Sequence, residues 1–356
     1  MRVALVVGAR PNFVKIAPIM KEMRDHSGLA VTLIHTGQHY DANMSGAIFA
    51  DLGIPEPDVN LGVRADANAV QTAEVMLRLV PLFTEQPPDL VVVGDVNSTL
   101  AGGLVAAKMG IRLAHVEAGL RSFDRTMPEE INRILTDALA DFCFTTEPSA
   151  NENLAREGVP AERVYYVGNV MIDTLFRFRD VAGSSSILRA FGLVPREFAV
   201  LTLHRPANVD DPRALRAALA TIDAIHRDVP VIFPVHPRTR RRLEASSDGI
   251  RHGLRCVEPL SYLDFTHLMA NAACVLTDSG GIQEETTALQ VPCLTLRTTT
   301  ERPITVTHGT NRIVGFDADA VASAWAEIRG GHWPTGRLPE LWDGKAAERI
   351  VRVLLG

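Results

Sequence analysis

The 356-residue sequence contains neither a Gly-x-Gly-x-x-Gly fingerprint nor a Walker A pattern. These are the glycine-rich signatures by which a strand-turn-helix unit grips a dinucleotide or a nucleoside triphosphate, so a nicotinamide-dependent mechanism is disfavoured from the outset. Cysteine is scarce. Cys143, Cys256, Cys274 and Cys293 are the only four, each inside an apolar run and without CxxC or Cys/His spacing. That argues against a zinc site and a disulfide framework and leaves them as buried thiols. No apolar run approaches the roughly 18 to 20 residues of a membrane span. The opening MRVALVVGARPNF reads as a first buried strand rather than a secretory leader, so a cytoplasmic protein without a membrane partner is expected. Positive charge is not in excess either: the formal net charge is −6. The one basic cluster, His236-Pro237-Arg238-Thr239-Arg240-Arg241-Arg242, has no interleaved aromatics, so nucleic acid is an unsuitable partner and the cluster reads as a solvated helix start.

What is present is a globular composition, 46% apolar and 22% charged, in a length that suits two cores. Short β-branched runs alternate with segments of helical period, the pattern of parallel βαβ units. Strands are expected at Val3–Val7, Ala30–His35, Leu90–Gly94, Arg112–Val116, Phe142–Thr145 and Tyr165–Val167, with a helix over Phe13–Asp25. After Asp180 the small, polar run Val181–Ser186 carries no apolar period. The alternation then restarts at Phe198–Leu203 and continues near Val231–Val235, Leu254–Val257, Cys274–Thr277 and Cys293–Leu296, ending in a helix from about Leu338 to Leu355. The expectation is α/β: two Rossmann-like domains, 1–180 and 187–356, facing a cleft, with the last helix able to pack back on the first domain. Ligands of such folds bind beyond the carboxyl ends of the strands.

Chemistry-bearing side chains fall at those ends. Gly8-Ala9-Arg10-Pro11-Asn12-Phe13-Val14-Lys15 puts a turn, a guanidinium and an ammonium beside a helix start, a natural anion site. Asp95 follows the third strand and Glu117 the fourth; a carboxylate in such a place is solvated, paired or catalytic. Asp95 is also a candidate helix cap, and Glu117 a candidate partner for Arg121. Pro128 opens a helix with Glu129 and Glu130 in its first turn, where compensation of the helix dipole is the competing role. In the second half, His204 and Arg205 follow a strand. Asp278-Ser279-Gly280-Gly281 leads from a buried strand into a helix whose free amides suit a diphosphate. Glu285 is placed to accept ribose hydroxyls, Arg302 adds a cation, and Phe265 either stacks on a base or belongs to the core.

These motifs, in order, resemble the non-hydrolysing UDP-N-acetylglucosamine 2-epimerases. The likeness rests on GARPNFVK at 8–15, TGQHYD at 36–41, GDVNST at 94–99, HVEAGLRS at 115–122, MPEEINR at 127–133, TLHRP at 202–206, DSGGIQEE at 278–285 and TTERP at 299–303. The resemblance implies the glycosyltransferase-B architecture and a homodimer. It implies Asp95, Glu117 and Glu129 as acid–base carboxylates and His204 as a catalytic histidine near the diphosphate. Arg10 and Lys15 match cleft residues, while Ser279, Gly280, Gly281 and Glu285 match the UDP site, Phe265 the uracil-side aromatic and Arg302 a further contact. Gln38-His39-Tyr40 is followed by Asp41, where many members carry a second glutamine of an activating site. The stretch Leu120–Phe123 and the Leu203-His204-Arg205-Pro206 run are similar to relatives acting on 2,3-diacetamido uronic acid forms.

The implied reaction inverts C2 of a UDP-N-acetyl-hexosamine. That C2 hydrogen is not next to a carbonyl, so departure of UDP from C1 has to supply its acidity. A carboxylate then removes the proton to give a 2-acetamidoglucal, and protonation on the other face with return of UDP completes the inversion. No metal and no redox cofactor are called for. A hydrolysing 2-epimerase and a glycosyltransferase of the same fold are the competing readings.

Overall fold

The structure, a computed structural model, describes residues 1–37, 49, 51–65, 67–94, 96–209, 212–235, 239–241, 243 and 254–356. Among them, seven strands form one parallel sheet: β1 (Arg2–Val7), β2 (Ala30–His35), β3 (Val59–Asn60), β4 (Leu90–Val93), β5 (Arg112–Val116), β6 (Phe142–Thr145) and β7 (Val164–Tyr166), in the order β3-β2-β1-β4-β5-β6-β7. Six more form a second: β8 (Ala199–Thr202), β9 (Val231–Pro234), β10 (Leu254–Val257), β11 (Cys274–Thr277), β12 (Cys293–Thr295) and β13 (Asn311–Ile313), in the order β10-β9-β8-β11-β12-β13. Continuous apolar runs such as Leu90–Val93 suit strands covered on both faces. In each sheet the first strand lies beside the fourth, so the connections diverge there and open a crevice beyond the carboxyl ends. β1 and β4 flank that point in one sheet, β8 and β11 in the other.

The first sheet is covered by α1 (Arg10–Arg24), α2 (Asn68–Glu85), α3 (Asn97–Lys108), α4 (Pro128–Leu139), α5 (Pro148–Arg156) and α6 (Val170–Ala182). The second carries α7 (Ile187–Phe191), α8 (Pro206–Val209), α9 (Pro212–Thr221), α10 (Asp223–His226), α11 (Tyr262–Ala270), α12 (Gly280–Leu289), α13 (Pro303–Thr307) and α14 (Ala318–Arg329); α15 (Ala346–Leu355) ends the chain. α1 begins three residues before the expected Phe13, because Pro11 sits in the first turn, where its missing amide hydrogen costs nothing. No described helix is long and apolar enough to cross a membrane.

Two compact units emerge: Met1–Arg177 with Glu340–Gly356, and Phe178–Pro339. The last stretch belongs to the first unit through specific bonds. Trp342 is fully buried and donates from Nε1 to the Thr146 carbonyl, and Asp173 accepts the amides of Ala346 and Ala347 at the start of α15. Helix begins only at Ala346 rather than near Leu338, since Leu341 and Gly344 both have left-handed backbones, with φ of 61° and 81°. α15 then buries Ala346, Ala347, Ile350, Val351 and Leu354, one face of a helix.

α4 is inverted in polarity. Glu130, Arg133 and Asp137, spaced i, i+3, i+7, point inward and are buried, while Ile131 and Leu135 are 42% and 45% exposed. The inward charges serve the loop that follows β5.

Candidate active site

At the edge of the first unit, Lys15 of α1 and Glu117 after β5 meet as a buried ion pair, Nζ to Oε2 at 2.6 Å. The sequence offered Arg121 as the partner for Glu117. Arg121 is engaged elsewhere, with Asp137 at 2.7 Å and with both carboxylate oxygens of Glu157. Glu117 has φ of +65°, a left-handed backbone that costs a residue with a side chain about 1 to 2 kcal/mol and recurs at functional sites. Gly119 follows at φ +79°, with the Ala150 carbonyl where a Cβ would stand.

The loop around Glu117 is held by carboxylates of α4. Asp137 takes His115 Nδ1 at 2.6 Å on one oxygen, and the Gly119 amide and the Arg121 guanidinium on the other. Burial alone would raise its carboxyl, but the charge and hydrogen bond of His115 and those of Arg121 outweigh that and hold it below the ordinary 3.8. Glu130 accepts the amides of Ser122 and Phe123 and pairs with Arg133 at 2.7 Å. Glu129 is exposed on the outward side of the same turn. Asp95, and Gln38, His39, Tyr40 and Asp41, lie outside the described residues. So does the side chain of Arg10, which is the first residue of α1.

In the second unit, Asp278 and His204 stand at the ends of neighbouring strands, β11 and β8. Asp278 is fully buried and accepts His204 Nδ1 at 2.7 Å, the amides of His204 and Arg205, and Asn208 Nδ2. Burial pushes its carboxyl up, yet the His204 contact, Asn208 and the Arg205 amide bring it below the ordinary 3.8. With Nδ1 committed, His204, 62% exposed, presents Nε2 to solvent. Ser279 caps α12 in extended conformation without spending its side chain on the cap, which leaves the first-turn amides open to an anion. A Cβ at Gly280 would overlap the Arg302 guanidinium, so a side chain there would displace that group.

Arg302 is buried and paired with Glu284 at 2.8 Å. Next to it, Glu301 binds Arg297 through two bonds of 2.8 and 2.9 Å and reaches Arg205 at 3.2 Å. The result is a row of cations and carboxylates beside the diphosphate-ready helix start. Glu285 is 97% buried, being only 3% exposed, and accepts from the Tyr262 hydroxyl at 3.0 Å. Phe265 of α11 is half-buried against the apolar cluster around Phe198 and Leu268.

Sequence reading alone did not single out Asp137, Glu130 or Asp278 as organisers, nor Glu301. The one signal available was the inverted spacing in α4, charges at i, i+3, i+7 with apolar residues between them.

The family model described as UDP-N-acetylglucosamine 2-epimerase matches residues 21–355. The UDP-N-acetylglucosamine 2-epimerase of Methanocaldococcus jannaschii is 39% identical over 364 residues, covering 99% of each chain. The UDP-2,3-diacetamido-2,3-dideoxy-D-glucuronate 2-epimerase of Pseudomonas aeruginosa is 39% identical over 360 residues, again covering 99% of each. Among solved structures, the Methanocaldococcus jannaschii UDP-GlcNAc 2-epimerase in complex with UDP-GlcNAc and UDP superposes with a TM-score of 0.90 at 38% identity, over 100% of this chain and 99% of that one.

Proposed function

The chain belongs to the UDP-N-acetylglucosamine 2-epimerase family, and from that premise we propose that it interconverts UDP-N-acetylglucosamine and its C2 epimer, UDP-N-acetylmannosamine. The observation that carries the reading at the site is the buried Lys15–Glu117 pair on a strained turn at a strand end. A carboxylate held out of water on a fixed turn is suited to take a proton from carbon once UDP has begun to leave, with Lys15 keeping it in position. Asp95 is the second acid–base group in this reading and Glu129 a third, whose replacement has the mildest effect of the three because it stands at a helix start. His204 Nε2, the α12 amides behind Ser279, Gly280 and Gly281, and Arg302 receive the charge that develops on the departing diphosphate. Arg10 is assigned to binding of the sugar nucleotide, and Phe265 and Glu285 to its nucleoside.

Incubation with UDP-N-acetylglucosamine, followed by proton NMR, is expected to yield a stable mixture of two UDP-sugars that differ at C2. Free N-acetylmannosamine with UDP would mark a hydrolysing enzyme. Turnover confined to the 2,3-diacetamido uronic acid form would reassign the sugar, an outcome given weight by the equal 39% identity of the Pseudomonas relative.

A homodimer is part of the same proposal. α2, α3 and α4 pack side by side, and their outer faces leave Val70, Leu77 and Val80 of α2 and Ile131 and Leu135 of α4 exposed. An apolar patch of this kind on a monomer marks an association surface. Light scattering is expected to give twice the chain mass for the wild type and a monomer for Leu77→Asp/Leu135→Asp; a monomeric wild type contradicts the proposal.

A further inference from the structure

We propose that Asp137 is a positioning residue for Glu117: it fixes the carboxylate for its reaction at C2 by gripping the chain two residues before it and two residues after it. The inference rests on the acid–base role given to Glu117 above. His115 is the anchor on the strand side, its Nδ1 at 2.6 Å from Asp137 Oδ1. Gly119 is the anchor on the loop side, its amide at 3.0 Å from Oδ2, with Arg121 on that same oxygen at 2.7 Å. Between the two anchors lies Glu117 in its left-handed conformation.

Three features make this more than a packing arrangement. His115 is fully buried and its Nε2 has no hydrogen-bond partner among the described residues, so its polar role is its bond to Asp137. A residue at positive φ persists only where its surroundings over-determine it, and Asp137 constrains both flanks of Glu117 at once. Finally, α4 turns Asp137, Glu130 and Arg133 inward while Ile131 and Leu135 face outward. Buried charges are a poor way to gain stability compared with apolar packing, so an inward charged face is better accounted for by what it positions. A misplacement of about 1 Å at a reacting group costs on the order of 100-fold in rate.

Asp137→Asn keeps the shape but replaces one acceptor oxygen by a donor, so either His115 or the Gly119–Arg121 side loses its acceptor. Turnover is expected to fall about 10- to 100-fold, with KM and UDP affinity within about threefold of wild type. The decisive readout is a double-mutant cycle with Glu117→Gln, followed by C2 hydrogen exchange over long incubations. If Asp137 acts through Glu117, adding Asp137→Asn to Glu117→Gln costs no more than about twofold further. Near wild-type turnover in Asp137→Asn, or losses that multiply in the double variant, would overturn the proposal. Should Asp137→Asn fail to fold, His115→Asn removes the strand-side anchor alone and must show the same non-additivity, or the proposal is overturned. Glu117→Gln by itself judges the underlying reading separately: full activity there removes Glu117 from the chemistry whatever Asp137 does.

Discussion

Glu117 and His204 illustrate one arrangement used twice: a polar side chain just beyond a strand end, in a segment held by a buried aspartate from another part of the fold. In the second unit that aspartate is Asp278, whose bond to Nδ1 leaves Nε2 as the ring nitrogen of His204 that faces solvent. In the proposed reaction Nε2 meets the leaving diphosphate, so His204→Ala is expected to lower turnover about 10- to 1000-fold, the range for deleting one preorganised electrostatic contact. Stopped assays over a range of substrate concentrations check it, and wild-type kinetics would return His204 to an ordinary loop residue. The positions of Glu117, His204 and Ser279 just beyond strand ends were legible in the sequence, because the apolar runs of an α/β pattern mark where each strand stops. Their fixing partners were not. Asp137 is 22 residues from His115 and Asp278 is 74 from His204, and nothing local in the chain announces a bond over that distance. The Glu129–Glu130 pair shows the same limit: two adjacent glutamates at a helix start look alike until the fold turns Glu130 inward.

At the scale of elements, the continuous apolar runs announced most of the strands, whereas β3 and β13, of two and three residues at sheet edges, are too short to produce a pattern. α15 is the element whose place follows from a polar contact as much as from its apolar face. Asp173 accepts two of its first-turn amides, and Asp173→Ala is expected to cost about 0.5 to 2 kcal/mol, the value of a helix cap, as read by urea unfolding. Burial pushes the Asp173 carboxyl up to about 6, against the lowering effect of the Ala347 and Ala346 amides. A raised carboxyl binds its proton more tightly in the folded state, so its contribution to stability declines as pH rises from about 4 to about 6. Asp173→Asn should abolish that slope; an unchanged slope would mean that other groups set it.

Across the whole molecule, the two sheets share one logic, a switch point flanked by the first and fourth strands, and each is organised by a buried carboxylate held below its ordinary range. For Asp137 and Asp278 the sign is opposite to that of Asp173. Their stabilisation is complete above the ordinary 3.8 and is lost as pH falls through the depressed folded values. Melting temperature is therefore expected to drop steeply below about pH 4, and Asp137→Asn should flatten part of that drop. The sequence allows the last helix to return to the first unit, but the bonds that hold Glu340–Gly356 there, Trp342 to Thr146 and Asp173 to Ala347, span 196 and 174 residues and leave no local signal.

In the proposed reaction C2 loses its hydrogen to a carboxylate while UDP is detached, so that the proton returning to the other face comes from a group in contact with solvent. Running the reaction with UDP-N-acetylglucosamine in D2O and following C2 by proton NMR tests this directly. Deuterium is expected at C2 of both epimers as equilibrium is approached. An epimer that kept its original C2 hydrogen would contradict the account and point instead to transient oxidation at a neighbouring carbon.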